Sequence, residues 1–155
     1  MREPSAVIHN DYTEWSANKR FREVLGNDQV VIDRYSGQYS RFAIVNVWRP
    51  LSKVVQNYPL ALCDSTTLSV ERDIVSVPRV SKDGRKGEIQ MAHYHPDHQW
   101  YYFPGMTSQD ILLIKTYDSK TTVNRYTIHT SIKLPEVDES ITRESIESRS
   151  LLFFK

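Results

Sequence analysis

Turn-forming clusters recur along this chain at intervals of about ten residues, and short β-type runs lie between them. Gly26, Pro50, residues 81–87, 95–98, 118–120 and 134–138 supply the punctuation. Seven prolines and nine tyrosines, with few long helical patterns, add to that bias. The pattern predicts a mainly β domain, a sandwich or jelly roll, over residues 1–155.

The runs themselves are informative. Residues 41–48 alternate, with Phe42, Ile44, Asn46 and Trp48 on one face and Ala43, Val45 and Val47 on the other. An asparagine on an apolar face is costly unless satisfied. Asn46 therefore bonds a neighbouring backbone or lines a cavity. Short strands are expected at 29–33 and 73–77, with Pro78 ending the pairing of the second. Residues 88–94 and 99–103 flank the turn at 95–98 and read as a hairpin. Residues 111–117 (ILLIKTY) read as a buried strand, 124–132 as a strand carrying His129, and 144–154 as the last one. The best helix is 13–25. Thr13 is its cap, Trp15, Phe21, Val24 and Leu25 form an apolar stripe, and Gly26 stops it. Residues 107–110 are a second, shorter helix candidate.

Bulk properties exclude several classes. A net charge of +1 with interspersed signs argues against nucleic-acid or membrane-surface binding by overall charge. No apolar run nears the roughly 18 residues of a membrane span. The single Cys63 cannot form an internal disulfide, which favours a reducing, cytoplasmic compartment, and its apolar neighbours make it a packing residue.

Against this background one ordered set of residues stands out. His9-Asn10-Asp11 comes first, His129 follows more than a hundred positions later, and Arg143-Glu144-Ser145 comes shortly after. A histidine and an aspartate two apart on a strand point to the same side. With a second histidine they form a two-imidazole, one-carboxylate face suited to Fe(II), with positions left open for other ligands. An arginine fork with a nearby hydroxyl suits a carboxylate. Each piece has a plainer reading. Asp11 could cap the following helix, His129 could be a packed strand residue, and Arg143 could pair with Glu136, Asp138 or Glu139. Arg149 competes with Arg143 for the carboxylate. A rival cluster, His93, His95 and His98, could hold zinc but reads more simply as a solvated or substrate-lining loop.

Several stretches resemble one family. They are residues 7–13 (VIHNDYT), Arg41-Phe42 through 46–51 (NVWRPL), 59–64 (PLALCD), 100–104 (WYYFP), 117–119 (YDS), 128–130 (IHT) and 143–147 (RESIE). In this order they are similar to the fungal hydroxylase/desaturase family, which includes aspergillic-acid-type hydroxylases and a gibberellin desaturase, and to a protein of cephamycin methoxylation. The resemblance implies a double-stranded β-helix and Fe(II)/2-oxoglutarate-dependent oxidation, either hydroxylation or desaturation, of a small secondary metabolite. It implies that His9, Asp11 and His129 hold iron and that Arg143 and Ser145 hold 2-oxoglutarate. Asn46, Trp48 and Arg49 are expected to line the substrate cavity. Family members carry a substantial segment before the H-x-D block. The chain is therefore expected to be a shortened form of a longer protein, with an incomplete roll. An open edge would then favour a binding or dimerising role without catalysis.

Overall fold

The computed structural model describes residues 4–81, 84–135, 137–138 and 140–155. Glu136 and Glu139, two suggested partners of Arg143, lie outside them. Two antiparallel sheets face each other. The larger has the order β4 (Ile74–Val80), β5 (Lys86–Ala92), β1 (His9–Asn10), β8 (His129–Ser131), β3 (Leu60–Cys63) and β6 (Trp100–Tyr102). The smaller has β7 (Leu112–Asp118), β2 (Arg41–Pro50) and β9 (Ser145–Phe154). This is the expected jelly roll.

Strand β2 organises the core. Its inward face alternates as predicted, with Ile44, Asn46 and Trp48 all buried. Trp48 packs with Val55, Leu60, Met106 and Ile114, while Ile44 packs with Tyr12, Ala17 and Tyr117. Asn46 on β2 and Thr116 on β7 lie between these two clusters in sequence and are completely buried. Thr116 Oγ1 donates to the Ile44 carbonyl (3.2 Å) and to Asn46 Oδ1 (3.4 Å), so the polar pair is satisfied inside an apolar layer.

Helix α1 (Glu14–Val24) follows the H-x-D motif. Thr13 and Ser16 form a reciprocal capping box at its start. Gly26, with φ 71°, ends it. The Gly26 and Asn27 amides return to the Glu23 and Arg22 carbonyls, a geometry that a left-handed glycine allows. The buried face is Ser16, Ala17 and Phe21, whereas Trp15 and Val24 are exposed. Half of the expected apolar stripe therefore faces solvent.

Three other expectations fail for local reasons. Residues 29–33 belong to helix α2 (Gln29–Gln38), because the Asp28 side chain caps it by accepting from the Val30 and Val31 amides. Cap chemistry outweighs the β preference of the Val-Val-Ile run. The segments at 88–94 and 99–103 do not pair with each other. Strand β5 pairs with β4 and β1 and β6 pairs with β3, so three strands separate them. The link between them is drawn away by Asp73, whose carbonyl accepts from the His93 amide (2.8 Å) and whose carboxylate meets His98 Nε2 (2.9 Å). Pro78 does not end pairing. It lies opposite Glu88 within β4, which a sheet-edge position tolerates. Asp73 itself ends the short helix α3 (Val70–Asp73). Residues 107–110 form a single turn. Cys63 is buried, and burial pushes its thiol pKa up, as suits packing.

Candidate metal centre

Strand register brings the two distant histidines together. His9 on β1 lies directly opposite His129 on β8, and their ring centroids are 4.6 Å apart. Asp11 leaves β1 on the same side as His9, with His9 Nε2 3.9 Å from Asp11 Oδ1. One ligand atom from each of His9, Asp11 and His129 lies within 4.8 Å of the others. No other such group of three occurs among the described residues. The His93, His95, His98 loop is not such a group, since His98 is engaged by Asp73.

The donors are oriented for metal binding. His9 Nδ1 bonds the Val7 carbonyl at 2.7 Å, and His129 Nδ1 bonds the Thr127 carbonyl at 2.9 Å. A carbonyl can only accept, so each Nδ1 carries the hydrogen and each Nε2 presents a lone pair. Burial, with the neighbouring His9 ring, lowers the His129 pKa and favours the neutral, ligating form. Asp11 does not cap α1, because Thr13 does. Instead Asp11 Oδ2 accepts from Asn46 Nδ2 (2.6 Å) and Oδ1 accepts from Arg149 Nη2 (2.9 Å). Two neutral imidazoles and one anchored carboxylate fit a divalent ion that favours N and O donors, and Fe(II) is such an ion.

Beside this group lies a cavity of about 150 Å³ whose wall includes His9, Asp11, His129, Trp48 and Arg143. Arg143 Nη1 donates to the Tyr58 carbonyl (2.6 Å), and its guanidinium carbon sits 4.9 Å from the Trp48 ring centre. Tyr58 has φ 53°, a conformation rare for a non-glycine residue. Arg143 Nε is buried without a partner, and burial pushes the guanidinium pKa down to about 10. Among the described residues no carboxylate pairs with Arg143. A desolvated cation with an unused donor beside a metal-type triad is arranged for an anionic ligand.

Other expected site residues lie elsewhere. Asn46 is wholly buried and reaches Asp11, so it bonds neither the neighbouring backbone alone nor an open cavity. Arg49 points to the opposite face of β2, is exposed, and bonds the Ser108 carbonyl (2.7 Å). Ser145 opens β9 opposite Pro50 and is not on the wall of the 150 Å³ cavity. Arg149 was weighed in sequence only as a rival carboxylate holder. Its even spacing from Arg143, which lies just before β9, is the signal in the sequence that both can face the site.

A family model described as the oxidoreductase/YMDC permease-like domain matches residues 1–153. The chain belongs to that family. Fungal relatives agree with the motif resemblance. Hydroxylase/desaturase CTB9 of Cercospora beticola is 37% identical over 161 residues, covering 98% of this chain and 48% of that protein. The Fe(II)/2-oxoglutarate-dependent dioxygenase nvfI of Aspergillus novofumigatus is 30% identical, covering 97% of this chain and 53% of that protein. A solved structure of the iron and alpha-ketoglutarate-dependent endoperoxidase NvfI superposes with a TM-score of 0.83 at 27% identity, over 98% of this chain and 53% of that one. The chain thus spans about half the length of the curated relatives it matches. Among the described residues no helix is long and apolar enough to cross a membrane.

Proposed function

We propose that this chain carries the iron and co-substrate centre of an Fe(II)/2-oxoglutarate-dependent oxygenase that hydroxylates or desaturates a small molecule. The observation that carries this reading is the convergence of His9, Asp11 and His129 beside the desolvated Arg143, whose Nε is buried without a partner among the described residues. When bound, iron with 2-oxoglutarate supplies the activation of O2 for oxidation of an unreactive C–H bond.

The chain's residues supply placement. His9 and His129 offer Nε2 lone pairs fixed by their Nδ1 bonds, and Asp11 offers Oδ1. Arg143 receives the far carboxylate of 2-oxoglutarate, and the Tyr58 carbonyl and the Trp48 ring hold its fork in place. Ser145 is not among the residues lining the cavity, so the assignment rests on Arg143. Trp48 closes one wall of the cavity and excludes water there.

Anaerobic addition of Fe(II) and then 2-oxoglutarate tests the reading. A weak visible charge-transfer band is expected, absent in His129→Ala. No band in the unmodified chain overturns it. A second reading, a jelly roll that binds or dimerises without catalysis, is favoured by β9. That strand lies at the edge of its sheet, with Ile146 and Leu152 exposed. Sedimentation of the chain as a dimer without Fe(II) binding would select it.

A further inference from the structure

Two large cavities adjoin α1. One, of about 520 Å³, is lined partly by Tyr12, Trp15, Tyr117 and Tyr126 and has none of His9, Asp11 or His129 on its wall. The other, of about 630 Å³, is a cleft between α1 and the β4–β5 hairpin, and both His9 and Asp11 line it. Its two sides are tied together. Ser16 Oγ donates to the Glu88 carbonyl (2.7 Å), and Lys19 Nζ donates to the Lys86 carbonyl (2.5 Å).

The cleft concentrates positive charge in a chain whose overall balance is only +1. Helix α1 contributes Lys19 and Arg20, the hairpin contributes Arg79, Arg85 and Lys86, and β9 contributes Arg149. Among the described residues that line the cleft, three carboxylates, Asp11, Glu23 and Glu88, stand against these six cations, of which Arg85 is itself engaged. Glu23 is shared by Lys19 (3.6 Å) and Arg20 (3.4 Å), and Asp11 is engaged by Arg149 (2.9 Å). Among the described residues no carboxylate pairs with Arg79 or Lys86. His9, Asp11 and Arg149 also line the 150 Å³ cavity that holds Arg143, so the candidate metal centre forms a wall common to both spaces.

We propose that this cleft receives the substrate of the oxygenase and that the substrate carries an anionic oxyacid group held by Arg79 and Lys86. The proposal rests on the reading of His9, Asp11 and His129 as the iron centre. The small cavity takes the compact co-substrate. The larger cleft aligns a bigger anion with its far end on the hairpin and its reacting carbon toward His9 and Asp11.

The test is calorimetric titration of the full chain, loaded with Mn(II) and 2-oxoglutarate. The probes are 1-naphthoate, 1-naphthyl phosphate and the neutral 1-naphthamide. At least one anion is expected to bind about tenfold more tightly than the amide, as two partly exposed ion pairs would give. Added salt shrinks that preference, and the Arg79→Gln/Lys86→Gln double variant removes it. Both side chains are exposed, so the variant keeps the fold, which its unfolding midpoint verifies. A clear preference for the phosphate over the carboxylate names a phosphorylated substrate; otherwise a carboxylic acid is named. Equal binding of the amide, no saturable binding of either anion, or a preference that survives the double substitution overturns the proposal. The Mn(II) spectrum reports the iron centre separately. An anion preference in a chain that binds no Mn(II) overturns the iron reading and leaves only an anion site, so the cleft is then not a substrate pocket.

Discussion

Asn46 Nδ2 donates to Asp11 Oδ2 at 2.6 Å, across a sequence separation of 35 residues. The bond joins the middle of the core strand β2 to the carboxylate of the candidate metal centre. It occupies one carboxylate oxygen and leaves the other facing His9 Nε2. Asn46 is itself held by Thr116, so the carboxylate is steered by a short buried polar chain. Outer partners of this kind fix ligand orientation.

Asn46→Ala is expected to weaken Mn(II) binding about 10- to 100-fold, the range found for such supporting residues. It also strands Asp11 Oδ2, while the Thr116 hydroxyl keeps the Ile44 carbonyl, and the lost bond costs on the order of 1–3 kcal/mol of stability. Electron paramagnetic resonance titration of Mn(II), beside a thermal unfolding curve, measures both. Metal affinity equal to that of the unmodified chain would show that the bond does not steer Asp11.

Arg149 should act in the opposite direction. Its Nη2 bonds Asp11 Oδ1, the oxygen nearest His9, so a divalent ion must share that oxygen with a cation. Arg149→Gln is expected to raise Mn(II) affinity several-fold, about 1 kcal/mol for a partly exposed pair. Unchanged or weaker binding in that variant would mean that Arg149 supports the ligand rather than competing with the metal.

For Arg143 the separation of effects matters. The residue lines the cavity and bonds the Tyr58 carbonyl but touches none of the three candidate ligands. Arg143→Gln is expected to weaken 2-oxoglutarate binding about 10- to 100-fold, the worth of a charge-assisted bond. Mn(II) affinity should stay within about twofold, because removing this charge deletes no ligand. Arg143→Lys restores charge without the fork and should recover only part of the loss. A variant that loses Mn(II) and 2-oxoglutarate together would place Arg143 in the structural support of the metal site instead.

Much of this centre was legible in the sequence, and the reasons are specific. The two-residue spacing of His9 and Asp11 puts them on one side of a strand whatever the wider fold. The alternation of 42–48 marked Asn46 as an anomaly on an apolar face. The sequence could not say what satisfied that asparagine, because its partner is fixed by packing between two sheets and not by local pattern. The His9–His129 pairing depends on strand order, which chain order does not reveal. The missed helix at Gln29–Gln38 has a nearer cause: one capping aspartate outweighs three β-branched residues. The false hairpin around 95–98 has another, since Asp73 holds His93 and His98 from outside both strands. The cationic cleft went unseen because its charges come from three separate elements, while the net charge is close to zero.

Asp73 makes the last prediction, about acid stability. The residue is almost fully buried, and its carboxylate accepts from Arg72, from the Ser69 amide and from His98. The Arg72 hydrogen bond, supported by His98 and the Ser69 amide, holds its pKa well below the ordinary 3.8. In the unfolded chain the group titrates near 3.8, so at lower pH the unfolded state binds a proton that the folded state refuses. The stabilisation is therefore complete above that value and is lost progressively as pH falls below it. Asp73→Asn removes this component. Its unfolding midpoint should be lower than that of the unmodified chain at pH 7, and should fall less steeply between about pH 4 and pH 2. The same substitution should loosen the 93–98 link that crosses the large sheet, visible as faster amide exchange at His93. Parallel pH profiles for the two proteins would show that Asp73 contributes nothing to acid sensitivity.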